Sequence, residues 1–212
     1  MKRRDGSSDH VETPFTPMVV QPVTLEGRFV RLEPLTLDYV DALCEVGLDE
    51  TLWRYIPVHV ETPEQMRKYV ETALKGQAEG TMLPFATCSK EAGRVVGSTR
   101  YMNIDKGNYH VEIGSTWIGQ AWQRTAVNTE AKYLMLGHAF EVLGCLRVEL
   151  KTDALNERSR NAILRIGARQ EGIFRNHVIM STGRVRDSVY FSITDTEWPA
   201  VKASLEERLN HT

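Results

Sequence analysis

From Arg28 to Leu32 apolar and polar residues alternate (Arg-Phe-Val-Arg-Leu), the spacing of a half-buried strand, and Pro34 ends the run. The spacing turns helical over Leu37 to Leu48, with Thr36 or Asp38 placed to cap it. A compact aromatic segment, Trp53 to Pro57, follows. Thr62-Pro63-Glu64-Gln65 then reads as a helix start: threonine at the cap, proline in the first position, glutamine three residues after the cap. That helix is expected to reach Ala78 and stop at Gly80. Strand patterns take over at Leu83 to Ser89 and Arg94 to Ile104, joined by the hairpin turn Glu91-Ala92-Gly93, and at Tyr109 to Ile118 after a turn at Asp105 to Asn108. Val127 to Leu143 can place Ala131, Leu134, Met135, His138, Ala139 and Val142 on one helical face, with Gly144 as its cap. A strand at Arg147 to Thr152, a helix at Glu157 to Ile166 closed by Gly167, strands at Ala168 to Met180 and Val185 to Thr194, and a helix at Thr196 to Leu209 complete the pattern. The order β-α-α-β-β-β-α-β-α-β-β-α specifies an α/β protein with a mixed sheet rather than a strictly alternating doubly wound one. Residues 1–22 carry no periodicity and are expected to form a flexible tail ahead of a single domain, residues 23–212.

Composition narrows the function classes. The 212 residues have a formal net charge of −2, with Lys and Arg scattered rather than clustered, so no nucleic-acid surface is expected. No apolar stretch approaches the ~20 residues that span a bilayer, and the basic Met1 to Arg4 is not followed by the apolar core of a signal peptide. Cys44, Cys88 and Cys145 are too far apart for a metal or disulfide framework and are expected to be small buried hydrophobes. A cytoplasmic protein without a metal, monomeric or homodimeric, is the expectation.

The most informative stretch is Val111 to Asn161, in which a strand runs through a short polar loop directly into a long helix. Such a helix start presents free N–H groups and the positive end of its dipole to the loop, a ready site for phosphate or pyrophosphate.

Several segments in order resemble the GNAT N-acetyltransferase superfamily, and within it the ribosomal-protein N-terminal (alanine or serine) acetyltransferase branch. They are Leu25-Glu26-Gly27-Arg28-Phe29-Val30-Arg31-Leu32, Val96-Gly97-Ser98-Thr99, Glu112-Ile113-Gly114-Ser115-Thr116-Trp117, Asn128-Thr129-Glu130-Ala131, Asn156-Glu157-Arg158-Ser159 and Ile166-Gly167-Ala168. The resemblance covers nearly all of the chain from Leu25 onward. It implies the acyl-CoA N-acyltransferase fold, a central, mostly antiparallel sheet flanked by helices. It also implies acetyl-CoA as cosubstrate and direct transfer of its acetyl group to a primary amine, on a protein N-terminus or a small molecule. The family's phosphate loop maps onto Gln123, Arg124, Thr125, Ala126, Val127 and Asn128, where Ala126 and Asn128 depart from the usual glycine and glycine or alanine. Thr116, Trp117 and Ile118 are then expected to border the pantetheine arm, together with Asn156 and Ser159. A catalytically weak or inactive CoA-binding protein of the same fold is the alternative, given the altered loop.

An amine attacks a thioester only in its neutral form, and a lysine (~10.4) is harder to deprotonate than an α-amine (~7.7–8.0). Glu112, on the strand expected to lie along the cofactor, is the first candidate base, with His110 as rival and His177 as a further candidate. His138 falls on an apolar helical face, as a core histidine would. Many superfamily members use a tyrosine acid after the asparagine motif; none occurs from Asn156 to Asn176, so Ser159 is the hydroxyl that fits, and Tyr190 is left aside. Trp53 and Tyr55 fall where the resemblance implies a wall of the acceptor groove, although core packing suits them equally.

Overall fold

The computed structural model describes residues 16–211. Eight strands form one sheet in the order β1-β2-β3-β4-β5-β6-β8-β7. They are β1 (Leu25–Glu26), β2 (Val30–Pro34), β3 (Leu83–Ser89), β4 (Arg94–Asp105), β5 (His110–Ile118), β6 (Arg147–Asp153), β7 (Arg169–Ile179) and β8 (Val185–Thr194). Five helices accompany them: α1 (Val40–Gly47), α2 (Pro63–Ala78), α3 (Ala126–Gly137), α4 (Glu157–Arg165) and α5 (Trp198–Asn210). Every neighbouring pair is antiparallel except β5 and β6. The expected mixed α/β fold with a mostly antiparallel sheet is therefore the one observed. Of the expected tail, residues 1–15 lie outside the described residues, while Met18 is buried in the main core with Val20 and Val23 packed beside it.

Two apolar clusters cover the two faces of the sheet. One gathers Leu83, Phe85, Val96, Val111 and Ile113 with Met135, Leu136, Ile163, Trp198 and Leu205 from α3, α4 and α5. The other gathers Ala86, Val95 and Trp117 with Val40, Leu43, Met66, Tyr69 and Val70 from α1 and α2. Neighbours such as Phe85 and Ala86 part to opposite faces because successive strand side chains alternate. The capping box at Thr62 forms as its sequence specifies: Gln65 N–H donates to the Thr62 hydroxyl, and the Gln65 side chain accepts from the Thr62 N–H. The long helix expected over Val127 to Leu143 changes character at its end, where His138–Val142 make a π-helical turn.

Two sequence blocks a hundred residues apart meet at Glu130 of α3. Its carboxylate accepts the N–H of Arg28 (2.8 Å), Phe29 (2.6 Å) and Val30 (2.7 Å). Gly27 completes the seat, since a Cβ there would fall 2.3 Å from the Glu130 carboxyl carbon.

Candidate active site

β5 and β6 pair in parallel only at His110–Arg147, Val111–Val148 and Glu112–Glu149, and then separate. Beyond that point β5 stays paired to β4, and β6 to β8, so a wedge opens between two strands that each keep their outer neighbour. A bulge helps to open it. Gly114 pairs with Arg100 and Trp117 with Ser98, so Ser115 and Thr116 oppose the single residue Thr99, and Ser115 sits at φ 47°. The extra residue reverses the alternation of β5. Ile113 faces the α3 side, and Trp117 faces α1 and α2 against Trp53 and Tyr69. Tyr69 pins the bulge by donating to the Ser115 carbonyl (3.3 Å) while its oxygen accepts from Trp117 Nε1 (3.3 Å).

Two helices begin where β5 and β6 end, at the mouth of this wedge. At α3 the cap is Thr125, whose hydroxyl accepts from the Val127 N–H (3.3 Å) and donates to the Trp122 carbonyl (2.8 Å). Arg124 takes φ 64° to turn the chain into the helix. Ala126, in place of the family's glycine, lies buried at the first helical position, where its methyl is accommodated. At α4 the cap is Asn156, whose Oδ1 accepts from the Ser159 N–H (3.0 Å), leaving the amide nitrogen to donate elsewhere. Crevices at the carboxyl ends of parallel strands, faced by helix N-termini, are the usual place for phosphate-bearing ligands.

The wedge therefore suits coenzyme A chemically: N–H donors of the first turn of α3, at Ala126 and Asn128 beside the Val127 N–H that Thr125 caps, for a pyrophosphate, and strand edges for an amide-bearing arm. The side chains of Thr116, Trp117 and Ile118 all point into the packed faces, so these residues can offer a ligand only their main chain. The Gln123 side chain is spent inside the loop, where its amide donates to the Ile118 carbonyl (2.8 Å).

Lys132, which belongs to no motif in the sequence, is buried in α3. Its ammonium donates to Thr116 Oγ1 (2.7 Å), which also meets Thr99 Oγ1 (2.8 Å). Burial pushes its pKa down to about 7. An unfolded lysine keeps ~10.4, so above pH 7 the unfolded chain holds a proton that the folded chain has released. Rising pH then favours the folded state between about 7 and 10, by at most ~1.4 kcal/mol per pH unit. Urea midpoints should climb from pH 7 to pH 9, and Lys132→Met should remove this slope; a flat wild-type profile would contradict the assignment.

The α1/α2 face of the sheet holds the other polar cluster. Glu112 is almost wholly buried, and its Oε2 accepts from Asn103 Nδ2 (2.7 Å) and pairs with Lys151 Nζ (3.0 Å). Asn103 and Lys151 thus engage Oε2, and about 2% of the side chain is exposed. His110 sits at the closed end of the β5–β6 pair, its ring 3.5 Å from Asp105. His138 lies beside the buried Tyr101 hydroxyl (3.3 Å), and burial lowers its pKa. Ser159 stands in the first turn of α4, half-buried. Cys145 is buried, with its thiol pushed up to about 12, whereas Cys44 and Cys88 are half-buried.

Along β8, Arg186, Ser188 and Tyr190 share the Glu112 face, beside Lys151 of β6. Arg186 donates to the Tyr55 carbonyl (3.1 Å) and Ser181 N–H to the Pro57 carbonyl (3.3 Å), clasping the β7–β8 hairpin to the loop after Trp53. The polar face of β6 and β8 is thus bordered by that loop on one side and by β7 on the other. Trp53 is core rather than wall: it is fully buried, with its indole N–H on the Gly47 carbonyl (2.8 Å). Among the described residues no cluster of three or more His, Cys, Asp or Glu is arranged for a metal ion, and no helix is long and apolar enough to cross a membrane.

Residues 30–169 match the family model described as the acetyltransferase (GNAT) domain. Over 140 residues the chain is 30% identical to YdaF of Bacillus subtilis (strain 168), provisionally named a ribosomal N-acetyltransferase, covering 66% of this chain and 70% of YdaF. It is 22% identical over 120 residues to the ribosomal protein uS5-alanine N-acetyltransferase of Escherichia coli (strain K12); that match covers 57% of this chain and 61% of the enzyme, less than two thirds of its length. A solved GCN5-related N-acetyltransferase from Brucella melitensis superposes with a TM-score of 0.85 at 35% identity, over 92% of this chain and 90% of that one.

Proposed function

Since the chain belongs to the GNAT acetyltransferase family, a family of acyltransferases, we propose that it moves an acetyl group from acetyl-CoA directly to the N-terminal amine of a protein. The observation that carries this reading is the wedge between β5 and β6, with the N-termini of α3 and α4 at its mouth and the polar face of β6 and β8 beside it. Bound acetyl-CoA supplies an activated acetyl thioester. The chain's own residues supply the rest. Ala126 and Asn128 hold phosphate by their N–H groups, joined by Val127 when its N–H exchanges the Thr125 hydroxyl for the ligand, Asn156 donates its amide to the arm, and the β5 edge near Thr116 to Ile118 pairs with amides of the arm. The bulge pinned by Tyr69 lies at Ser115 and Thr116, just past the last β5–β6 pair at Glu112, and a main-chain N–H there suits a donor for a developing oxyanion.

A protein N-terminus is favoured over a lysine for two reasons. An α-amine needs less help to become neutral. The names of YdaF and of the Escherichia coli relative also point to ribosomal proteins as acceptors. The test is release of CoA thiol when the protein is mixed with acetyl-CoA and peptides beginning with Ala, Ser or Thr, against the same peptides blocked at the N-terminus but carrying a lysine. Turnover confined to free N-termini is the expected result. Tight acetyl-CoA binding with no turnover of any amine would instead favour a CoA-binding protein that does not catalyse.

A further inference from the structure

We propose that the acceptor amine gives up its proton to a Tyr190–His177 pair, which the bulge in β7 holds over the polar face of β6 and β8. The inference rests on the acetyltransferase reading above and adds the residues that move the proton.

Four neighbouring strands contribute one side chain each to a continuous row. Glu112 of β5 meets Lys151 of β6 (3.0 Å), the Lys151 ammonium lies 5.7 Å from the ring centroid of Tyr190 on β8, and the Tyr190 hydroxyl meets His177 Nε2 on β7 (3.4 Å). Lys151 pairs directly with Tyr190 in the sheet and lies two residues past Glu149, the last β6 residue to pair with β5. Tyr190 therefore stands one strand from the wedge, at the level where the wedge opens. The row is closed at the Glu112 end by Asn103 and open at the His177 end, in a surface depression also lined by Phe174, Asn176 and Asp187.

His177 reaches Tyr190 because β7 is deformed there. Phe174 pairs with Ser188 and Val178 with Arg186, so three residues of β7 oppose the single Asp187. Asn176 takes φ 49° at the centre of the bulge, and its N–H donates to Asp187 Oδ1 (2.7 Å). Bulges of this kind re-aim a side chain; here the imidazole turns back over β8, with Nδ1 on Ser188 Oγ (3.0 Å) and Nε2 on Tyr190. Phe174 packs on Tyr190 with ring centroids 4.4 Å apart and fixes the phenol.

The charges facing His177 are Lys151 of β6, Arg186 and Asp187 of β8 and Glu112 of β5. Burial first, then Lys151 and Arg186, lower its pKa below 6.5, against the smaller opposing effect of Glu112. The ring is thus neutral at pH 7 and able to accept a proton. Burial raises the Tyr190 pKa, so the phenol relays a proton rather than losing one. In the step, the amine N–H bond breaks and its proton passes to the Tyr190 oxygen as the phenol proton passes to His177 Nε2. The nitrogen lone pair bonds the acetyl carbon, and the carbon–sulfur bond breaks with its electrons on sulfur. Solvent at the open end takes the proton from the imidazolium, and the thiolate is protonated from solvent, leaving amide, free thiol and neutral His177.

The experiment measures kcat against pH, from 5.5 to 9, for acetyl transfer to an Ala-initiated peptide at saturating acetyl-CoA. In the wild type kcat should fall as pH drops through a point below 6.5, where His177 becomes protonated. His177→Gln should lower kcat by about 10²-fold and erase that inflection, with the KM for acetyl-CoA unchanged. Tyr190→Phe, which keeps the packing on Phe174, should do the same, so the proposal remains testable if one variant folds poorly. Glu112→Gln should retain the inflection. Wild-type kcat and inflection in both His177→Gln and Tyr190→Phe, or loss of the inflection in Glu112→Gln instead, would overturn the proposal and leave the function standing. No turnover by the wild type on any peptide would overturn the function and the proposal together.

Discussion

Glu130→Ala is expected to lower the unfolding free energy by about 3–5 kcal/mol, the cost of leaving its N–H donors short of an acceptor, a large part of the ~5–15 kcal/mol that holds a domain together. Three N–H groups, those of Arg28, Phe29 and Val30, donate to this one carboxylate. A hydrogen bond to a charged group contributes ~1.5–3 kcal/mol, and a buried donor left unpaired costs ~1–3 kcal/mol. Val30 is fully buried, so water cannot replace the lost acceptor there. The three bonds act as a unit, and their sum exceeds the net effect. Glu130→Gln should recover only part of the loss, because its amide nitrogen turns a donor toward donors. Urea denaturation decides the matter: a midpoint within a few tenths of a molar of wild type for Glu130→Ala would show that the N–H groups find other partners.

Ala126→Asp should weaken acetyl-CoA binding by at least 10²-fold. The first turn of α3 faces the mouth of the wedge with its N–H groups and dipole. An aspartate there satisfies those donors itself and sets a negative charge against the phosphates. The dipole favours the same charge in the free protein, so the helix persists. Ala126→Asn controls for size in this buried position and should weaken binding far less. Added salt should narrow the gap between the two variants, because screening acts on the charge alone. Equal dissociation constants for the Asp and Asn variants would place the phosphates elsewhere.

Much of the fold is legible in local patterns. The Thr62 capping box, the strands Leu83–Ser89 and Val185–Thr194 and the stop after Ala78 follow from cap chemistry, turn residues and period-two alternation, all of which act over a few residues. β1, with two residues, is too short to show a period. The π-helical turn at His138–Val142 continues the apolar face of α3, so the pattern reads as unbroken helix. The site is less legible because its parts are tertiary. Alternation places Glu112 on the proper face but cannot reveal that Asn103 and Lys151 enclose it. Gln123 fits the phosphate-loop motif, yet its side chain is tied to Ile118. Tyr190 lies far from every motif and comes beside Lys151 only because β8 inserts between β6 and β7. His177 looks like an ordinary strand histidine until the bulge at Asn176 is known.

The carboxylate seat of Glu130 also sets a clock on synthesis. The segment Arg28 to Val30 leaves the ribosome about a hundred residues before the side chain that satisfies its N–H groups. At ~5–20 residues per second that is an interval of about 5–20 s. During it β2 lacks the acceptor for its first N–H and also β3, its sheet neighbour, until Ser89 has been made. The amino-terminal edge of the sheet can therefore be locked only after α3 is complete, and a nascent chain paused before Glu130 would present that edge to chaperones.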